Sequence, residues 1–306
     1  MNTTLEIIEP LPHSLPIQKA KAVGAQRSLP DTWVNPSDGS VLRLVPAGEF
    51  IMGSTPEQIE HALAMDANAS RQNLEHETPQ CRPWVPAFYL GLFTVTNRQF
   101  ARFLTESGAS REQMRFWMPK AEHVFFPAKG KDAFQVKGGY EDHPAIHVSW
   151  YGAEAYCHWA GLRLPTEVEW EKAARGGDGR LYPWGNDWRA DCLQWAGSAS
   201  PGQSSAPVNA WFEGRSPYGI YQMAGNVEEW CADSYESAVY RRYLTGNPHA
   251  PTTGSRRILR GGSCLGKSPL GFRCAMRRAH EPSFPRVLYT GLRCACDVRQ
   301  FSERTV

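Results

Sequence analysis

Eight cysteines hold the most versatile chemistry in this chain: Cys81, Cys157, Cys192, Cys231, Cys264, Cys274, Cys294 and Cys296. A thiolate can act as a nucleophile, a soft-metal ligand or half of a disulfide. No two of them form Cys-x-x-Cys, and Cys294-x-Cys296 alone is a poor zinc knuckle. Other reactive groupings have plainer readings. Asp142, His143 and His147 suggest a metal cluster. Pro144 breaks the helix that would set both imidazoles on one face, so the segment reads as the start of a strand. Glu167, Glu169 and Glu171 look like an acid cluster. In a helix's first turn the macrodipole favours carboxylates, and structure accounts for them. There is no Gly-x-Ser-x-Gly, no Walker-type loop and no dinucleotide fingerprint.

The elements that position these groups belong to a chain of 306 residues, 42% hydrophobic and 21% charged. That composition is globular and excludes wholesale disorder. A net charge of +2 argues against a nucleic-acid partner bound by bulk electrostatics. No apolar run of about 18 residues predicts a membrane span. The N-terminus lacks a positive n-region, and Pro10, Pro12 and Pro16 interrupt its apolar pieces, so it does not read as a secretory signal. A cytoplasmic protein with mostly reduced thiols is expected. Residues 1–40 read as an extension, 41–300 as one domain and 301–306 as a tail.

Within the domain, residues 41–53 read as two short strands around a Pro-Ala-Gly turn, 56–66 as a helix and 88–95 as a buried strand. Capping boxes start helices at Thr96 and Thr166, and Ser149 caps a third. Gly176-Gly177 stops the second of these boxed helices. Beyond about residue 178 the helix signals fade. With 27 glycines and 23 prolines, much of the backbone must turn. Such a half needs packed tryptophans and buried ions to hold it. The class is α+β, with few helices and short antiparallel strands.

Order along the chain then becomes informative. Pro46-Ala47-Gly48-Glu49-Phe50 is followed by Thr94-Val95-Thr96-Asn97, His147-Val148-Ser149-Trp150 and Arg163-Leu164-Pro165-Thr166-Glu167. Pro183-Trp184-Gly185-Asn186, Gly225-Asn226-Val227-Glu228-Glu229-Trp230, Arg260-Gly261-Gly262-Ser263 and Gly291-Leu292-Arg293-Cys294 complete the series. Each motif is weak alone. Together, over about residues 41–297, they resemble the formylglycine-generating-enzyme (sulfatase-modifying factor) family. The resemblance implies a C-type-lectin-like fold. It implies less about activity, because the family holds copper-dependent oxidases, iron-dependent sulfoxide synthases and non-catalytic binding proteins.

The resemblance also implies which positions to inspect. The oxidases hold copper(I) between two cysteines five residues apart. Counting back from Arg273-Cys274, Cys264 falls on the first position and Pro269 on the second. Counting forward from Arg260-Gly261-Gly262-Ser263 matches neither. Proline offers no thiol, so copper(I) and classical formylglycine synthesis are not expected. Cys264 remains either a reactive thiol or a spectator. The sulfoxide synthases' H-x-x-x-H-x-E iron motif is missing from residues 1–40.

A family disulfide matches Cys157 and Cys294, which are expected to lie close. A second would pair Cys274 with position 174, here an alanine. A structural calcium site would use Gln222, Gly225, Val227 and Glu229, with Glu229 in a salt bridge as the alternative. The family's second calcium site, near Cys192, lacks its carboxylate and is not expected. In diversified binding members the stretch between Cys264 and Tyr289 displays ligand-contacting side chains. Here it offers Lys267, Phe272, Met276, Arg278, His280, Phe284, Arg286 and Tyr289, as a binding surface or as ordinary core and loop positions. The expected function is recognition of a protein or peptide ligand, as in diversified ligand-binding or immunity-type members. The alternative is a divergent metal-dependent oxidase acting on a thiol through Cys264.

Overall fold

A computed structural model of the chain describes residues 29–129, 132–198, 205–247, 249, 251–283 and 289–298. Along the chain come β1 (Thr32–Val34), β2 (Val41–Val45), β3 (Gly48–Glu49), α1 (Pro56–Met65), α2 (Arg71–Leu74), β4 (Trp84–Val85) and β5 (Phe88–Gly91). Next are α3 (Asn97–Glu106), α4 (Arg111–Trp117), β6 (Val124–Phe125), β7 (Gln135–Val136), α5 (Trp150–Trp159) and α6 (Glu167–Arg175). The C-terminal part holds β8 (Glu228–Ser234), α7 (Val239–Leu244), β9 (Arg257–Arg260), β10 (Arg277–His280), β11 (Thr290–Gly291) and β12 (Ala295–Asp297). The class is α+β and loop-rich. One four-stranded sheet runs β1-β2-β5-β12, all antiparallel. The other runs β10-β9-β8-β11, with β11 parallel to β8. Among the described residues no helix is long and apolar enough to cross a membrane.

Local sequence explains the longer helices. Thr55 with Gln58, Thr96 with Gln99, Ser110 with Gln113 and Thr166 with Glu169 each form a reciprocal capping box. Two otherwise orphaned backbone donors are satisfied at each start. Ser149 caps α5 through the Gly152 N–H. Gly176 ends α6 at φ +72°, pressed so closely on Pro217 that a Cβ there would lie 2.8 Å from the ring. Helix α7, in the half where helix signals fade, has no side-chain cap. It stands because Val239, Tyr240 and Tyr243 are buried. Strand β1 brings residues 32–34 into the fold, although the sequence places them in the extension. Trp33 pairs with Leu42 across the ladder and rests on the Tyr89 ring, centroids 6.1 Å apart.

Aromatic packing and buried charge hold the loop-rich half together. Trp188 stacks on Phe272 at 5.7 Å and meets Trp195 edge-on at 5.3 Å. Arg175, Arg260, Arg273 and Arg293 are all fully buried. Each faces a buried glutamate. Arg273 grips Glu77 at 2.7 and 2.9 Å, while Arg260 and Arg175 share Glu171. Arg277 grips Glu167 at 2.7 and 2.8 Å. The buried ions of this half are therefore guanidinium–carboxylate pairs. Such pairs add little over an apolar core, but losing one partner strands the other at about 3–5 kcal/mol.

Candidate functional site

Cys264 lies on the loop after β9. Its backbone N–H donates to the Asn226 carbonyl at 2.9 Å. The residue is 4% exposed and packs in an apolar cluster with Ile146, Val227 and Tyr289, which holds no second cysteine. Burial pushes its thiol up to about 12, so it is protonated at neutral pH. Pro269 opens a short 3-10 turn, Pro269–Phe272. Among the described residues no group of three or more His, Cys, Asp or Glu side chains converges as a metal site. One buried, protonated thiol does not fit two-coordinate copper(I).

The candidate calcium positions are joined to protein partners. Glu229 Oε2 accepts from the Trp170 indole at 2.7 Å and from Arg293 Nε at 2.9 Å. Its Oε1 accepts from Arg293 Nη2 at 2.8 Å. Gln222 Oε1 accepts from Asn226 Nδ2 at 2.6 Å, and the Gly225 carbonyl accepts from the Val227 N–H at 2.9 Å. Asn226 completes the loop by exchanging two hydrogen bonds with Ala206, both 3.0 Å. As arranged, this set does not fit a calcium ion. Its one carboxylate is neutralised by Arg293, and a second cation there would be repelled.

The stretch after Cys264 divides into core and surface. Phe272, 1% exposed, and Tyr289, 8% exposed, are core residues and not displayed. Phe272 is enclosed by Trp188, and Tyr289 lies against His147 with ring centroids 5.6 Å apart. Met276 and His280 are half-buried, and burial lowers the His280 imidazole below its usual range. Lys267 and Arg278 are exposed. Phe284 and Arg286 lie outside the described residues.

Lys267 and Arg278 line one cavity of about 230 Å³, together with Ser263, Leu265, the Phe272 ring and three glycines. Glycine is required where the loop closes on that ring. Gly262 sits at φ +69°, and a Cβ on it would be 2.7 Å from the Gly271 carbonyl. A Cβ on Gly266 would be 2.5 Å from Phe272 Cζ.

Glu228 is the residue the sequence reading passed over. Its carboxyl lies behind Arg278, Oε1 to Nη1 at 3.1 Å, with the side chain 2% exposed. Burial raises its pKa above the usual carboxylate range, and the Arg278 charge opposes that rise. Neighbouring strand residues face opposite sides. Glu229 therefore turns inward to Trp170 and Arg293 while Glu228 turns toward the cavity side. The adjacent acids in Val227-Glu228-Glu229-Trp230 carried that signal.

The sulfurs of Cys157 and Cys294 lie 3.4 Å apart, both as free thiols. Cys274 packs in the same apolar cluster as Ala174, where the family's second bridge is missing.

The site and fold have relatives. The chain is 34% identical to the formylglycine-generating enzyme of Streptomyces coelicolor, across 83% of this chain and 88% of that protein. It is 32% identical to the hercynine oxygenase of Mycolicibacterium smegmatis, across 83% of this chain and 61% of that protein. The structure of PvdO from Pseudomonas aeruginosa shares the fold, with a TM-score of 0.65 at 20% identity, covering 89% of this chain and all of that one. The profile of the sulfatase-modifying factor enzyme 1-like domain matches residues 28–298, so the chain belongs to that family.

Proposed function

We propose that the domain recognises a protein or peptide ligand through the face built by the loop 262–272 and β10. One observation carries this reading. The cavity on that face exposes two cations, Lys267 and Arg278, while no carboxylate lines it. Nearby, the one thiol at an oxidase position is buried and protonated. Binding proteins use exposed arginine as an anchor. A formylglycine-generating reaction, after which the Streptomyces coelicolor relative is named, calls for a thiolate pair that this loop lacks.

The test has two arms. Peptides displayed on phage are selected against the full chain, and the selected sequences are re-assayed against Lys267→Ala. Selected peptides that lose binding with this surface variant support recognition at this face. In the second arm the reduced protein is loaded with copper(I) and oxygen uptake is followed with a cysteine-containing peptide. One-to-one copper with turnover abolished by Cys264→Ala would overturn recognition in favour of a divergent oxidase.

A further inference from the structure

We infer that the cavity selects a carboxylate group of its ligand, and that Glu228 is the interior residue that sets the strength of that selection. The inference rests on the recognition reading above and adds the ligand's chemical class. Strand β10 places Arg278 opposite Leu259, with the side chain 46% exposed. Nη1 holds Glu228 Oε1 at 3.1 Å, and Nη2 lies 3.8 Å from where a Cβ on Gly271 would sit. The guanidinium thus lines the cavity with a buried acid on one side and a lining glycine on another.

The charges are unequal. Lys267 and Arg278 both line the space, no carboxylate lines it, and Glu228 pairs with Arg278 from a buried position. Glu228 Oε2 is buried and has no hydrogen-bond partner among the described residues. Among the described residues, Arg278 is the charged group that opposes the burial of this carboxyl. A guanidinium has donors on more than one edge. One edge is held by Glu228, and another is presented to the cavity beside the Lys267 ammonium. An incoming carboxylate completes the arrangement, accepting from both cations in charge-assisted bonds. The Phe272 ring and the glycines leave room for a short apolar stem. Glu228 competes with the ligand for Arg278, so it weakens the site toward any acid and disfavours groups of higher negative charge most.

The probes are N-acetylated, C-amidated hexapeptide mixtures with one position fixed as Glu, Gln or Lys. A fourth mixture is fixed as Gln and carries a free C-terminal carboxylate. Retention on the immobilised full chain is read by mass spectrometry. A Glu-fixed or free-carboxylate mixture retained about tenfold above the amidated Gln mixture supports the inference. Comparing those two arms tells a side-chain carboxylate from a chain terminus. Arg278→Ala and Lys267→Ala each remove the preference, and Glu228→Gln increases acidic retention severalfold. Because Arg278→Ala strands a buried carboxyl, thermal melts accompany it, and Lys267→Ala, wholly on the surface, repeats the test without that risk. Equal retention of the Glu, free-carboxylate and amidated Gln mixtures overturns the carboxylate inference and leaves recognition standing. No change in Glu228→Gln overturns the role given to Glu228. Retention of no mixture overturns recognition and the inference together.

Discussion

Arg293 holds both carboxylate oxygens of Glu229 in the core, Nη2 to Oε1 at 2.8 Å and Nε to Oε2 at 2.9 Å. The same guanidinium donates to the carbonyls of Gly91 and Tyr221, at 2.7 and 2.8 Å. One side chain therefore ties β8, the end of β5 and the 219–226 loop into a single joint. Arg293→Met keeps the volume but strands Glu229 beside Trp170. The expected loss is about 3–5 kcal/mol, read from urea unfolding midpoints. A loss below about 1 kcal/mol would show that water reaches the carboxylate and that the joint is not dry.

The same pair makes a calcium ion at this loop superfluous. Millimolar calcium is expected to leave the melting temperature of the chelator-treated protein unchanged. A bound ion at a hundredfold excess over its dissociation constant would stabilise by about 2.7 kcal/mol, a shift of several degrees. A calcium-dependent rise of that size, lost in Glu229→Gln, would restore the ion to Gln222, Gly225, Val227 and Glu229.

Cys264 should be slow to react. Its thiol is pushed up to about 12 by burial, so almost no thiolate exists at pH 8. Iodoacetamide at that pH should modify Cys264 about a hundredfold or more slower in the native protein than in urea, followed by peptide mass mapping. Native labelling at the unfolded rate would mark it as an accessible, activated thiol and revive the oxidase reading.

Stability should depend on pH through Asp233. This aspartic acid is raised from 3.8 to about 7, first by burial and then by the neighbouring Glu167 charge. Its Oδ2 accepts the Glu167 N–H at 2.7 Å, while Oδ1 has no partner among the described residues. A folded-state value above the unfolded one means that the native state holds the proton more tightly. That contribution is complete below about pH 4 and is lost as pH rises toward 7. Asp233→Asn keeps an acceptor for Glu167 without the charge. Its melting temperature should exceed wild type at pH 8 and converge with it near pH 4. Parallel curves at both values would show that Asp233 is ionised throughout.

Local devices were legible because they are local. The boxes at Thr96 and Thr166 close within four residues, and both helices begin there. The Ser110 box that opens α4 is of the same kind and equally local. The expectation of buried ions in the loop-rich half also matches the structure, but the ions are arginines. Arginines are scattered through the sequence like ordinary surface charges. Nothing in their spacing marks Arg175, Arg260, Arg273 and Arg293 as buried.

By itself the sequence determined the family, the positions of the capped helices and the lack of a second thiol at Pro269. These depend on residue identity and short spacing, which the chain states outright. Tertiary structure alone decided what each charge and ring does. Phe272 and Tyr289 look displayed in a list of residues but are buried, because Trp188 and the His147 segment cover them from distant parts of the chain. Glu228 and Glu229 are neighbours with opposite fates. Arg293, 64 residues from Glu229, locks it into the core, and Arg278 brings Glu228 to the edge of an open cavity. A carboxylate's role follows from the partner and the solvent it meets, and both are set only when separate strands pair.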